Sequence, residues 1–452
     1  MKISSHKNHS LLSFSILLPT IILIYTAWLV ACWPGILGQD SLAIMLEVDT
    51  NRDFQAGKPV FWYMYNQLTY GTTGRTEVPI GIQLLLCAII CSRILSWTIE
   101  NKMWKIFFYS FFFVALGPSV IYYMGSLYSD GIYAICLSGM LFEIWRCSKR
   151  RKIDKSSTLI LLTTIPFALF ARPNGIINLF PLVALACILS SHERIKLATI
   201  IIPWCIVAIY GHATFKYNQT IGSIFPMALY ETVGFLEHRP MGLWERNEPR
   251  VSPKTIEALT STGKSVEYIQ KFHDHYYWDP LIFVIPGPNL LSITKENKRI
   301  IVREFFKYNL WHNLPAFLSS RVNIFLYSSL ANGGIPDIKA NDQILPRTKS
   351  ISSTNIFQWS TSPYLVSWHE FSMRHRAILW APWLGYILIF IGLRRSINER
   401  DIPLGIAAVT YSLQLAAVFI FSIAGEYRYL LAFFTAPLVL LPILNSNNLE
   451  NV

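Results

Sequence analysis

Ten apolar segments recur along the chain, and most of the polar stretches between them are short. Most segments approach the roughly 20 residues that an α-helix needs to cross a bilayer. The pattern therefore predicts an all-α membrane protein with about ten transmembrane helices. The segments lie at about 11–33, 78–97, 106–124, 130–147, 157–171, 174–190, 197–215, 376–393, 402–424 and 428–445. Two of them, 157–171 and 174–190, are short and flank Pro173, so two tilted helices and one re-entrant hairpin remain alternatives.

Basic residues cluster in alternate connections between these segments. The connection RCSKRRKIDK at 146–155 holds six of them, whereas the opposite short turns hold only Arg172 and Arg428. Cytoplasmic loops carry the excess of Lys and Arg in membrane proteins. The distribution therefore predicts that both termini lie in the cytoplasm and that two longer stretches lie outside.

This orientation divides the chain into three parts. The first is an N-terminal membrane module, 1–215, whose first outer loop spans 34–77. The second is a large outer domain, 216–375, in which the interrupted apolar stretch 305–330 is expected to lie on the membrane surface. The third is a pair of C-terminal transmembrane helices within 376–452.

The amino-acid composition further narrows the possible classes of protein. The chain has 452 residues, of which 52% are hydrophobic and 15% are charged, against roughly 25% charged in soluble proteins. This excludes a disordered chain and a single soluble domain. The net charge of +12 resides largely in short loops, so no nucleic-acid partner is expected. The seven cysteines all fall within or beside apolar segments, which argues against a disulfide-stapled outer domain.

Asp40 follows the first apolar segment in the motif WPGILGQDS and begins an amphipathic run. A carboxylate at this point is stabilised by the helix dipole if it simply begins a helix. It is equally placed to act as a general base at the outer membrane surface. Glu47, seven residues later, would share its helical face.

Further charges lie near the outer ends of the predicted helices. Asp130 in LYSDG is either a helix-capping residue or a second functional carboxylate. Lys58, Arg172 and Arg428 are either snorkelling side chains or ligands of a phosphate, which arginine binds in bidentate fashion. Their shared sidedness with the carboxylates favours an anionic lipid-linked substrate.

Cofactor motifs are scarce. The sequence contains no P-loop, GxGxxG or GxSxG motif. His273 and His275 have the spacing of a metal-binding pair, but the sequence indicates no third ligand. A divalent metal is therefore possible but not expected, and we expect no cofactor.

The order of WPGILGQDS, an aromatic segment opening at Lys58-Pro59, LYSDG, ARPNG and EYRYL resembles the polytopic GT-C glycosyltransferases of bacteria. It is most similar to the branch related to the O-antigen glucosyltransferases of serotype conversion. The resemblance covers the seven N-terminal segments well and the outer domain poorly. It departs from the family at position 58, where His-Pro is common, and at Ser129, where a lysine is common.

The resemblance implies an inverting transferase of the bacterial inner membrane with its active site facing the periplasm. The donor would be a polyprenyl-phosphate sugar, with glucose as the sugar, and the acceptor a lipopolysaccharide O-antigen or another envelope glycan. Asp40 would be the base, with Asp130 as a second catalytic carboxylate. Lys58, Arg172 and Arg428 would hold the donor phosphate, with Glu47, Glu426 and Tyr429 in support.

Two other functions remain open. A transporter or flippase for lipid-linked sugars needs the same arginines but no base, and it favours charges along a path through the membrane. The predicted helices are nearly free of internal charge, which favours the enzyme. An oligosaccharide polymerase or ligase with a longer lipid-linked donor is not distinguished by the sequence.

Overall fold

A computed structural model describes residues 3–50, 59–215, 224–237, 250–334, 337–338, 340–354, 356–357 and 363–446. These residues are predominantly helical and include no β-strand, which confirms the all-α prediction. The α-helices in chain order are α1 Ile3–Ala31, α2 Gln39–Thr50, α3 Val60–Thr73, α4 Glu77–Glu100, α5 Trp104–Tyr109, α6 Pro118–Met124, α7 Ser129–Arg150, α8 Lys155–Phe170, α9 Leu179–Ile188, α10 Ser191–Phe215, α11 Phe225–Phe235, α12 Pro253–Thr260, α13 Val266–Gln270, α14 Lys295–Glu304, α15 Leu310–His312, α16 Leu314–Ser329, α17 Asn341–Ile344, α18 Pro363–Arg374, α19 Arg376–Leu379, α20 Trp383–Glu399, α21 Ile402–Phe421 and α22 Leu431–Ser446. Wide π-helical turns occupy Ser110–Ala115 and Phe305–Asn309, and 3₁₀ turns occupy Pro173–Asn178, Asp279–Leu281, Leu290–Ser292, Leu345–Arg347 and Tyr427–Leu430.

Six helical stretches of the described chain are long and apolar enough to cross a membrane. A seventh candidate is the pair Trp104–Ala115 and Pro118–Met124, which is bent by 47°. Length and composition therefore support a membrane protein. The six stretches are Ser13–Ala31, Glu77–Glu100, Ser191–Phe215, Arg376–Glu399, Ile402–Phe421 and Tyr427–Ser446.

The predicted number of ten spans is not confirmed. With the bent pair counted as one span, three predicted segments account for the difference. The segments at 157–171 and 174–190 form apolar helices of fewer than 18 residues, Lys155–Phe170 and Pro173–Ile188. The segment at 130–147 forms α7, whose second half carries Glu143, Arg146, Lys149 and Arg150. Charge at that density is unfavourable in a bilayer.

The helices form two compact units. The first unit comprises Met1–Asn218, Ile335–Leu415 and Arg428–Val452, and the second comprises Gln219–Gly334 and Ala416–Tyr427. The sequence grouped 335–375 with the large outer domain, whereas the described residues of this range belong to the first unit, and the predicted domain boundaries stay predictions. The sides of the membrane on which the parts lie stay predictions.

Helix α7 lies at the centre of the first unit, with almost every residue before Lys149 buried. Its C-terminal half holds the buried Glu143, which accepts hydrogen bonds from Arg93 at 2.8 Å and Arg146 at 3.0 Å. The hydroxyl of Ser157 donates to the same carboxylate at 2.5 Å. Because its oxygens are paired, Glu143 can remain buried next to apolar helices.

The second unit packs around α11, nearly all of which is buried. The core joins Phe225, Leu229 and Val233 of α11 to apolar residues of the surrounding helices. Ser252, Ser265 and Thr294 cap helices α12, α13 and α14 with side-chain hydrogen bonds to backbone amides, as their residue types favour. Arg321 of α16 is fully buried and forms an ion pair with Glu231 of α11.

Candidate active site

The loop that follows α1 fixes the start of α2. Gly35 adopts a φ of +121°, a backbone conformation that favours glycine. The Ile36 amide donates to the Gly125 carbonyl at 2.8 Å, and the Leu37 amide donates to the Asn341 side chain at 3.0 Å. A side chain at Gly38 would overlap the hydroxyl of Tyr128. The glycines of WPGILGQDS thus let this loop pack closely and direct Asp40.

Asp40 lies in the first turn of α2 and forms an ion pair with Arg428. The Asp40 side chain remains 29% exposed, so solvent or a ligand can reach it. Arg428 comes from the 3₁₀ turn that precedes α22. Its guanidinium carbon lies 5.3 Å from the ring centre of Tyr128, within the range of a cation–π interaction.

Asp130 forms the second pair, from the first turn of α7. Its Oδ1 lies 2.6 Å from Nη1 of Arg172, and the carboxylate is only 2% exposed. Its other oxygen, Oδ2, is buried and has no hydrogen-bond partner among the described residues. A buried carboxylate oxygen without a donor is energetically unfavourable, so Asp130 has capacity for one more hydrogen bond.

Tyr429 joins the two pairs into one cluster. The guanidinium carbon of Arg172 lies 5.0 Å from the centre of the Tyr429 ring, and that of Arg428 lies 5.4 Å from it. We call Asp40, Arg428, Asp130, Arg172 and Tyr429 the two-pair cluster. Its two carboxylates and two guanidinium groups give it a formal charge of zero. The structure thus brings together five of the residues that the sequence singled out.

The residues that follow Arg172 in the chain take part in a polar network. Asn174 donates to Gln414 of α21 at 2.7 Å, and Gln414 donates to Asn178 at 2.9 Å. Asn178 also donates to the Ala168 carbonyl at 2.7 Å. The sequence interpretation missed this network. The sequence feature that could have indicated the network is Gln414, a polar residue in the middle of an apolar segment.

The remaining predicted site residues lie elsewhere. Lys58 lies outside the described residues. Glu47 is fully buried in α2, and the pKa of Tyr63 in α3 is raised by burial and, to a lesser degree, by the charge of Glu47. Glu426 belongs to the second unit, where its charge contributes to raising the pKa of Tyr277, after burial and Tyr327. Tyr128, in contrast, was not predicted and contacts Arg428.

The second unit contains the predicted histidine pair. His273 and His275 lie with Glu237 in one group of potential metal ligands. The sequence indicated no third ligand because Glu237 precedes His273 by 36 residues.

The two-pair cluster has two chemical capacities. Its guanidinium groups can bind phosphate oxygens in place of carboxylates, and an accessible carboxylate can accept a proton from a hydroxyl group. No protein-family model, no curated protein and no solved structure matches the chain.

Proposed function

We propose that the chain is an integral-membrane glycosyltransferase of the GT-C type. It moves a sugar, with glucose as the first candidate, from a polyprenyl-phosphate donor to an envelope glycan such as O-antigen. The reaction takes place on the periplasmic face of the inner membrane, and the arginines rather than a metal are expected to stabilise the leaving phosphate. The observation that carries the proposal is the meeting of both carboxylate–arginine pairs on Tyr429.

Donor binding begins with an exchange of partners at the cluster. In the free protein, Arg428 is held by Asp40, so the carboxylate is occupied by a guanidinium group. A donor phosphate competes for Arg428, because guanidinium binds phosphate and carboxylate oxygens with the same bidentate geometry. When the phosphate takes Arg428, the Asp40 carboxylate is released and can accept a proton.

The transfer step then follows by direct displacement. The acceptor hydroxyl oxygen attacks the anomeric carbon, and its proton passes to Asp40. The bond between the anomeric carbon and the phosphate oxygen breaks, and polyprenyl phosphate leaves with the electron pair. Because the displacement is direct, the anomeric configuration is inverted.

The arginines act on the charge that develops during this step. The phosphate gains one negative charge as it leaves, while Asp40 loses one by protonation, so the formal charge of the site is unchanged. Arg428 and Arg172 stabilise the phosphate where its charge grows, which is the usual source of a large electrostatic rate effect. Asp130 holds Arg172 in position at 2.6 Å.

The sequence motifs from which the cluster residues come support the same function. WPGILGQDS supplies Asp40, LYSDG supplies Asp130, ARPNG supplies Arg172 and EYRYL supplies Arg428 and Tyr429. Four of the five sequence features that resemble the GT-C family therefore contribute to one cluster, and Lys58 of the fifth lies outside the described residues. A transporter would need the arginines but gives no role to an accessible carboxylate beside them.

The test is sugar transfer in vitro by the purified full-length protein. The donor is polyprenyl-phosphate glucose, and the acceptors are O-antigen-bearing lipids from several bacterial strains. Asp40→Asn is expected to lower the transfer rate by about 10²–10⁴-fold, the usual contribution of a general base. The matched control is Asp342→Asn, an exposed aspartate of α17, which should transfer at the wild-type rate.

Each outcome separates the functions. Loss of transfer in Asp40→Asn with donor binding retained supports an enzyme in which Asp40 is the base. Full transfer in Asp40→Asn removes Asp40 from the mechanism but keeps the enzyme class. Donor binding without transfer to any acceptor contradicts the proposal and favours a transporter, or a polymerase with a longer donor.

A further inference from the structure

Three potential metal ligands meet in the second unit. Glu237, His273 and His275 each bring one ligand atom to within 4.8 Å of the others. Nδ1 of His273 lies 2.7 Å from Oε1 of Glu237. The rings of the two histidines are 5.5 Å apart, nearly perpendicular to each other. Two imidazoles and one carboxylate form a donor set that divalent zinc and neighbouring transition metals prefer.

We propose that Glu237, His273 and His275 bind one divalent transition-metal ion, for which Zn²⁺ is the probe. This site belongs to the second unit and takes no part in the proposed sugar transfer. Three protein ligands leave one tetrahedral position for water, because His275 is exposed to solvent.

The loop that carries the histidines is held in place by its middle residue. The Asp274 side chain accepts hydrogen bonds from the backbone amides of Tyr276 at 2.7 Å and Tyr277 at 2.9 Å. The Asp274 carbonyl accepts a hydrogen bond from the Tyr230 hydroxyl at 2.9 Å. The Asp274 side chain is thus bound to the loop backbone, while the rings of its neighbours His273 and His275 lie next to Glu237.

The surroundings of His273 determine which of its two ring nitrogens can bind a metal ion. Its ring packs against Tyr230 with 5.2 Å between ring centres. A side-chain carbon at Gly234 would lie only 3.1 Å from Nε2, so that nitrogen faces the backbone of α11. Nδ1 faces Glu237. A metal ion would therefore enter between Nδ1 and the Glu237 carboxylate, on the side where His275 lies.

The distances need only small adjustments. Bonds of about 2.0–2.1 Å to a tetrahedral zinc ion place the ligand atoms about 3.3 Å apart. The 2.7 Å between His273 and Glu237 must open slightly, and the longest separation of up to 4.8 Å must close. His275 is exposed, so its ring has room to rotate toward the ion.

The same geometry has a simpler alternative, in which His273 and Glu237 form a hydrogen-bonded pair without metal. That pair ties the end of α11 to the loop and needs no contribution from His275. The two cases therefore differ in what happens when only His275 is changed.

The experiment measures zinc bound to the full-length protein in detergent, purified without a histidine tag. The protein is equilibrated with Zn²⁺ and desalted, and its metal content is determined by mass spectrometry. Wild type should retain one zinc ion per chain, and His275→Asn should retain only the background level. The matched control is His312→Asn, a histidine of the same unit that stacks on Tyr308, and it should retain zinc as wild type does.

A second readout guards against misfolding. Zn²⁺ should raise the thermal unfolding midpoint of wild type and of His312→Asn, because a ligand that binds only the folded state stabilises it. It should leave the midpoint of His275→Asn unchanged. If wild type and His275→Asn retain the same zinc and respond alike, the proposal is wrong, and His273 and Glu237 form only a structural pair.

Discussion

Arginine–carboxylate pairs occur in both units, but they differ in how many hydrogen bonds they make and in how exposed they are. In the second unit, the Nη groups of Arg321 donate to Glu231 and to the carbonyls of Ile420 and Ser422, while its buried Nε has no partner among the described residues. Glu231 is 2% exposed and also accepts a hydrogen bond from Ser320. In the two-pair cluster, Asp40 is open to solvent and Asp130 has an oxygen without a donor.

This difference distinguishes an ion pair that stabilises the fold from an ion pair that can exchange its partner for a substrate group. A buried pair with several hydrogen bonds gains nothing from a new ligand, and breaking it leaves a buried charge uncompensated. A pair with an accessible or unsatisfied oxygen can accept a substrate group at small cost. The following predictions test this distinction, and each concerns a smaller free-energy change than the one before it.

The largest effect is expected from Glu231→Gln. The substitution keeps the shape of the side chain but leaves Arg321 buried without a countercharge, which typically destabilises a protein by about 3–5 kcal/mol. We expect a large fall in the thermal unfolding midpoint of the detergent-solubilised protein. The double variant Glu231→Leu/Arg321→Met should recover much of the loss, because a well-packed apolar pair can replace a buried ion pair. A midpoint equal to wild type in Glu231→Gln would show that this pair does not support the unit.

Arg428→Gln should have the opposite effect, with little change in stability and a large loss of transfer activity. The pair with Asp40 is partly exposed, and such pairs contribute about 0–1 kcal/mol to stability, so the unfolding midpoint should hardly change. Transfer activity should fall by about 10²–10³-fold, as expected when one group that stabilises developing charge is removed. A variant that is unstable but fully active per folded molecule would contradict the comparison.

The smallest effect is expected from Tyr429→Leu. It removes the ring that both guanidinium groups contact, and each such contact contributes roughly 0.5–1 kcal/mol. If both are lost, the arginines are less well positioned, and the donor dissociation constant should rise by about five- to thirtyfold. Tyr429→Phe keeps the ring and should bind donor as wild type does. Equal weakening of donor binding in both variants would show that the Tyr429 hydroxyl, and not the ring, is responsible for the effect.

Much of the fold was predictable because helix positions follow local pattern. The apolar segments at 78–97 and 402–424 correspond to α4 and α21, since a long apolar run has few alternatives to a helix. The number of spans was harder to predict. Whether a segment such as 157–171 crosses a bilayer depends on a few residues of length, and the charges of α7 are tolerated only because Glu143 finds partners on neighbouring helices.

The site residues were recognisable one by one, but their pairing was not. Sequence motifs singled out Asp130 and Arg172, yet nothing local says that Asp130 pairs with Arg172 and Asp40 with Arg428. That choice depends on how distant helices pack, as does the contact of Tyr128 with Arg428. Glu237 was missed as a third neighbour of the histidines for the same reason.

The pair of Asp40 and Arg428 joins residues that are 388 positions apart. During synthesis, Asp40 emerges from the ribosome early, and Arg428 only after all the helices before α22. The proposed site therefore cannot assemble on a nascent or truncated chain. A partly made protein in the membrane would hold an unneutralised carboxylate and lack the cation for the donor. Under the proposed function, donor binding therefore has to wait until Arg428 has been made and has packed against Asp40.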